Sequence, residues 1–309
     1  MQQTVKKKPF TSFFPILLFL ILVLFTIQIS LLTEGMREAM RLCAYGLIPT
    51  LFPFLVLTDL FLSLEGAERI LFVVTKPLLR PLRLSKYGGV AFFLGAFFGF
   101  PMGAKAVAHY YASGALTKEE AERLLLFSGN ASPFFLVGSV GLGMMSSLGV
   151  GLYLYALELI ISLLCGFLLG RCAPAANKYD DKDWLKKEAF SIPNSVRKAV
   201  RSSLYITGYV LFFSALCSVL LPLLKNAFLS RLTASFLEIA TACAFVSAQK
   251  NPLTLPFCAF AVAFSGFSVF FQTADCLTQT DLKLTKYIPV KLICGGFAFF
   301  LTILLTHCG

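Results

Sequence analysis

Lys105 is the single formal charge in the apolar stretch 87–111. An ammonium at such a depth is costly unless it meets an acid or serves a ligand, so it points to an ion pair or to a site for an anion. Three acids, Asp59, Glu158 and Glu238, are just as isolated in their own apolar stretches. Each is a candidate partner for Lys105 or a carrier of a coupling proton. A structural ion pair between helices is the plainer alternative. His109, one turn beyond Lys105, reads as an interfacial residue, with proton handling as its other role.

Around Lys105 the backbone signals are unusual. Gly99-Phe100-Pro101-Met102-Gly103 breaks one apolar run, and Ser128-Gly129-Asn130-Ala131-Ser132-Pro133 breaks the next. Non-helical backbone at membrane depth survives only where protein buries it or an aqueous cavity accepts it. Pro suits the first turn of a helix, so Pro101 is expected to open a half-helix, and Ser132 before Pro133 is expected to cap another. Two half-helix N-termini near the midplane make a setting that favours an anion. Gly95, Gly99 and Gly103 recur every four residues, a bare stripe that lets another backbone approach. Helix packing is the plainer account of that stripe, although Pro101 interrupts the same stretch. Asn130, Ser132, Ser268 and Gln272 add hydrogen-bond donors beside the breaks.

Enzyme chemistry finds little to work with. His109 and His307 are the two histidines, no H-E-x-x-H is present, and the nine cysteines form no C-x-x-C pair. No nucleophile–base pair or metal cluster can be assembled, so neither an enzyme nor a metal site nor a cofactor is expected. A coupling ion, H+ or Na+, stays open.

The elements that hold these residues are membrane elements. The 309 residues are 57% hydrophobic and 14% charged, with 33 Phe and one Trp. Soluble domains carry roughly 25% charge, which excludes an ordinary soluble enzyme and predicts an all-α polytopic membrane protein. The net charge of +11 comes from basic residues lying between apolar runs, as cytoplasmic loops place them, and so does not indicate nucleic acid. Lys6-Lys7-Lys8 precede an uncharged run from Phe10 to Leu32, expected to be an uncleaved anchor with its N-terminus in the cytosol. A second run, Leu42 to Leu64, holds Pro49, Pro53 and Asp59.

Residues 65–86 (Arg69, Lys76, Arg80, Arg83 and Lys86 against Glu65 and Glu68) and the basic stretch 171–201 both read as cytoplasmic. Between them lie three apolar segments, about 87–111, 124–145 and 148–169. Three full crossings cannot join loops on one side, so at least one segment is expected to enter and leave by the same face. The breaks place the irregular backbone, and the site, in 87–145. Thr117 with Glu120 fits a capping box opening a helix through to Phe127. Apolar runs follow at about 203–224, 232–248, 253–273 and 288–306. The expected division is an anchor and interfacial segment 1–41, a first half 42–170, a cytoplasmic linker 171–198 and a second half 199–309.

Ser265-Gly266-Phe267-Ser268 through Gln272 is similar to the first-half break. Setting Gly99-Phe100 against Gly266-Phe267 puts Lys105 opposite Gln272 and makes Glu238 a loose counterpart of Asp59. Interrupted segments paired in two halves are the best sequence pointer to a transporter site.

Three blocks carry a family likeness: Phe98-Gly99-Phe100-Pro101-Met102-Gly103-Ala104-Lys105, Gly114 to Leu124, and Ser132-Pro133-Phe134-Phe135-Leu136-Val137-Gly138. With Leu47 to Phe54 and Ser265 to Ser268, they resemble the nucleoside-recognition (Gate) membrane family, in its branch of sporulation membrane proteins from endospore-forming bacteria. Asp59 stands where that family's motif has Glu. The resemblance implies a fold like that of the concentrative nucleoside transporters, two pseudo-repeats that each hold a re-entrant hairpin and a broken helix. It also implies export of dipicolinic acid from the mother cell across the outer forespore membrane. The expected partners are a small anionic substrate and the lipid bilayer, with no nucleic acid; a homo-oligomer or other spore-membrane proteins stay open. The alternatives are a nucleoside or other solute on the same scaffold, and a non-transporting assembly scaffold acting through 171–198.

Overall fold

The computed structural model describes residues 13–64, 66–173, 189–249 and 251–307. Lys6 to Lys8, the start of the anchor run, Asp180 to Lys187 of the linker and Cys308 lie outside them. Among the described residues all regular structure is helical, and five stretches are long and apolar enough to cross a membrane: Ile29–Ser63, Leu148–Arg171, Ile192–Leu223, Thr254–Cys276 and Tyr287–His307.

The first expectation to change is the anchor. The apolar run divides into α1 (Phe13–Ile27) and α2 (Ile29–Arg41) at Gln28, whose backbone leaves helical geometry (φ −105°, ψ 35°). Helix α1 exposes Phe14, Ile16, Leu18 and Leu22 on several sides, as a lipid-facing helix does. Helix α2 carries Glu34, Arg37, Glu38 and Arg41, so its amphipathic face packs on protein; Gly35 lies against Ser218. Through a π-helical turn (Leu42–Leu47), α2 continues into α3 (Ile48–Ser63), and the two form a single long element.

Then follow α4 (Ala67–Leu82), α5 (Lys86–Phe98), α6 (Met102–Ala112) and α7 (Lys118–Leu125). Helices α5 and α6 have 13 and 11 residues, or about 20 and 16 Å, short of the roughly 30 Å of a hydrocarbon core. The break at Gly99 (φ 76°) returns α6 onto α5, and their backbones approach at Gly95 and Gly103. Thr117 caps α7 by accepting from the Glu120 N–H (3.2 Å). The reciprocal half of the expected capping box is absent, because the Glu120 carboxylate accepts instead from the Ser85 N–H (2.6 Å) and so ties α7 to the start of α5.

The 126–133 break leads into a π-helical segment (Phe134–Met144) and then α8 (Leu148–Arg171). Helix α9 (Ile192–Leu220) starts inside the stretch expected to be linker, because Ser191 caps it and Pro193 occupies its first turn. The second half continues with α10 (Ala227–Leu237), α11 (Ile239–Ser247), α12 (Thr254–Phe264), α13 (Gly266–Cys276) and α14 (Tyr287–His307). One buried apolar cluster joins α8, α9, α11, α12 and α14 with the π-helical segment; a second joins α4 to α7 with Leu277 and Leu282.

The loop 277–286 reaches from the second half to the first. Asp281 accepts from the Tyr111 hydroxyl (2.6 Å) and pairs with Lys118 (2.5 Å), which hold its carboxyl down at about 2. The folded value lies below the ordinary Asp value of about 3.9, so the tie is at full strength above pH ~4 and is lost as pH falls through ~2. Protection of the 277–286 amides, taken relative to their intrinsic exchange rate at each pH, is therefore expected to fall over that window and to stay flat above it; Asp281→Asn should show the lower protection throughout.

Candidate functional site

The four breaks meet in pairs. In the first half, a Cβ built on Gly99 would lie 2.6 Å from the Ser132 nitrogen, and one on Gly95 or Gly103 would lie 1.7 or 2.4 Å from the Ser128 carbonyl oxygen. The glycine stripe thus receives an unwound backbone, and the packing and break readings of the stripe become one arrangement. Pro101 precedes the first turn of α6, and the Ser132 hydroxyl accepts from the Phe135 N–H (3.2 Å) with Pro133 between them. In the second half, Ser265 (φ 75°) and Gly266 (φ 71°) turn the chain between α12 and α13, and Gly266 packs on Leu237-Glu238-Ile239.

Glu238, extended between α10 and α11, is fully buried. It caps α11 by accepting from the Thr241 N–H (2.6 Å), and the Ser268 hydroxyl donates to its other oxygen at 3.5 Å. A cavity of about 40 Å³ separates the two pairs of breaks and brings Phe100, Ser132, Glu238 and Gln272 to one place. Of the site residues expected from the two halves, Ser132 and Gln272 line this cavity, and Ser268 reaches it only through its bond to Glu238.

Asn130 faces the other way. Its amide donates to the Phe127 carbonyl and the Ser162 hydroxyl, both at 3.3 Å, bracing the break against α8. Two buried ionisable side chains grip the same stretch: Glu158 on α8 accepts from the Ala131 N–H (2.8 Å), and Lys291 on α14 donates to the Gly129 carbonyl (2.6 Å). Both are buried, at 3% and 4% exposure, and they line a void of about 10 Å³ with Asn130 and Ser162. Unwound backbone here lacks helical partners, and these side chains supply them. Lys291 was not singled out from sequence, yet it carries the signal that marked Lys105, a lone cation in an apolar run.

Lys105 meets none of its three expected partners among the described ion pairs. Its ammonium donates to the Ser202 hydroxyl of α9 (2.6 Å). Asp59 instead accepts from Ser195 (2.6 Å) and pairs with Lys198 (3.1 Å). The reason is position: α3 ends beside the first turns of α9, whereas Glu158 and Glu238 belong to the breaks. Glu238 is likewise no counterpart of Asp59 in setting. Lys105, Asp59, Glu68, His109, Asn194, Ser195 and Lys198 line a cavity of about 290 Å³ between α3, α6 and the N-terminus of α9. The two cations, the capped helix N-terminus and the hydroxyls around this volume can hold a small anion, the wall's acids being engaged by protein groups, Asp59 by Ser195 and Lys198 and Glu68 by the Tyr110 hydroxyl.

No ion-binding cluster of His, Cys, Asp and Glu occurs among the described residues, and their cysteines are all free thiols.

No family model matches the chain, and no solved structure matches it. Among curated proteins, the sporulation integral membrane protein YlbJ of Bacillus subtilis (strain 168) is 24% identical over 318 residues, which cover 88% of this chain and 77% of that protein. An alignment of that extent agrees with the apolar helices: the chain is an integral membrane protein related to a sporulation integral membrane protein.

Proposed function

We propose that the chain is a membrane transporter that moves a small aromatic dicarboxylate, dipicolinate, from mother cell to forespore across the outer forespore membrane. The observation that carries this reading is Lys105: a cation whose hydrogen-bond partner is the Ser202 hydroxyl, at the wall of a 290 Å³ cavity that it shares with Lys198 and with the acids Asp59 and Glu68. Its volume is near the lower end of the roughly 300–1,000 Å³ usual for small-molecule sites. Lys105 is the group that binds carboxylate, and the first turn of α9 assists. The sporulation relative supports the setting.

In this reading the short pairs α5–α6 and α10–α11 are re-entrant hairpins, and 126–133 and 265–266 are the breaks of two interrupted helices. Each half then pairs a hairpin tip with a helix break. That order sets Gly99–Pro101 against Glu238 and 126–133 against Ser265–Gly266. The packing of Gly99 on Ser132 and of Gly266 on Glu238 supports this register beside the alignment of Gly99-Phe100 with Gly266-Phe267. Glu238 and Glu158 are the candidates for a coupling proton.

A second reading, a neutral solute such as a nucleoside, draws on the cavity between the breaks, where Ser132, Gln272 and Glu238 offer donors and acceptors without a cation.

The test is uptake into proteoliposomes. Wild-type protein is expected to accumulate dipicolinate, and Lys105→Gln to lower the initial rate about tenfold or more, the scale of one charge-assisted hydrogen bond. Nucleoside uptake insensitive to Lys105→Gln, with no dipicolinate uptake, would establish the second reading instead.

A further inference from the structure

Helix α4 has a surface that the transport reading does not use. Its start follows α3, whose Asp59 is tied to Lys198 near the beginning of α9. Its end is tied to the close of α8: Arg83 donates to the Ala173 carbonyl, and Gly170 packs on the Leu82 backbone. The end of α8 and the start of α9 flank one charged stretch, 174–188, so they lie on the same side of the membrane. Both ends of α4 are therefore at the cytoplasmic face, and the helix runs along that face instead of crossing.

The sequence of α4 fits that course in three sectors. Projected at about 100° per residue, Ala67, Leu71, Thr75, Leu79 and Leu82 form the buried side. Arg69, Lys76 and Arg80 fall together in a stripe only about 40° wide by the same projection. Beside that stripe Ile70, Val73 and Val74 are 58%, 69% and 55% exposed, with Pro77 and Pro81 continuing their sector. All three basic residues are exposed, and no acid lies on the outward side of the helix. Glu68 is turned inward, where it accepts from the Tyr110 hydroxyl at 3.5 Å. Arg83 at the C-cap adds a further positive charge.

A soluble surface would not place three exposed aliphatic side chains beside an unopposed basic stripe. The pairing suits a membrane interface, where the apolar sector enters the acyl boundary and the stripe meets negative headgroups. We propose that the outward face of α4 is a binding surface for anionic phospholipid of the cytoplasmic leaflet, the headgroup phosphates bound by Arg69, Lys76 and Arg80. Charge complementarity and the adjoining apolar sector select lipid over a protein partner, which would meet an acid-free surface level with the headgroups.

The test uses the full-length protein, delipidated in detergent and mixed with equal amounts of phosphatidylglycerol and phosphatidylcholine. Bound lipid is then counted by native mass spectrometry. Wild type is expected to retain phosphatidylglycerol preferentially. Loss of one basic residue should weaken retention roughly fivefold, and R69Q/K76Q/R80Q tenfold or more. The control K225Q/K283Q/K286Q removes the same charge from exposed positions elsewhere and should retain the lipid as wild type does. Equal loss in the control would reduce the effect to net charge and overturn the proposal, as would full retention by the α4 variant. A dimer in wild type that the α4 variant converts to monomer, with lipid unchanged, would make the face a contact between copies and overturn it too. Should the triple variant fail to fold, the single substitutions Arg69→Gln and Arg80→Gln decide by the same fivefold criterion.

Discussion

Gly95→Ala is expected to abolish the folded first half. The new methyl would sit 1.7 Å from the Ser128 carbonyl oxygen, a backbone atom that cannot rotate away as a side chain can. Overpacking against side chains costs about 1–3 kcal/mol; a clash with the backbone of a braced break should exceed that range. Gly103→Ala, at 2.4 Å from the same oxygen, should be nearly as severe. The measurement is the yield of monodisperse protein in detergent and its thermal midpoint. Gly208→Ala is the control, because no atom lies within 4 Å of its added Cβ and alanine favours the helix. A Gly95→Ala protein as stable as Gly208→Ala would show that the break does not pack between α5 and α6.

The second large effect is expected at Glu158 and Lys291, the two side chains that grip the break. Glu158→Leu orphans the buried Ala131 N–H. A buried donor left unsatisfied typically costs about 1–3 kcal/mol, more where a charged group is involved. Glu158→Gln keeps an acceptor for Ala131 and should lose distinctly less. Lys291→Met removes the donor to the Gly129 carbonyl. The double variant Glu158→Leu/Lys291→Met should fall short of the sum of the single losses by at least about 1 kcal/mol, since both side chains act on one segment. Denaturation of all four proteins in the same detergent gives the cycle. Strict additivity would mean that Glu158 and Lys291 hold the break independently.

The first-half breaks are legible because glycine and proline impose them: Gly99 takes a positive φ, Pro101 precedes a helix start and Ser132 caps one. The break at Glu238 carries no such mark. Its residues, Ser235-Phe236-Leu237-Glu238-Ile239, read as continuous helix, and the interruption depends on a carboxylate capping α11 from inside the core. Glu238 was legible only as an isolated acid. Ser265 turns left-handed without being a glycine, so just its neighbour Gly266 gives it away.

Partners at long range were the least legible. Isolation identified Lys105 as a cation needing a partner, but whether that partner is an acid or a hydroxyl depends on how α9 lies across α6, which no local pattern encodes. The same holds for Asn130, expected beside Ser132 by sequence and turned toward α8 by the geometry of the unwound stretch. Composition, by contrast, was enough for the membrane class, because the charge content is far below that of a water-soluble chain.

The Ser128 carbonyl lodged between Gly95 and Gly103 also limits how this molecule can move. The oxygen is held by Cα surfaces on both sides, so the α5–α6 pair cannot slide past the 126–133 stretch in either direction along its length. Separation would require lifting the oxygen straight out, against the pull of Glu158 and Lys291 on the neighbouring peptides. The hairpin and the unwound segment are therefore one mechanical part. Any displacement that opens a path through the protein must carry them together, with its pivots outside this block.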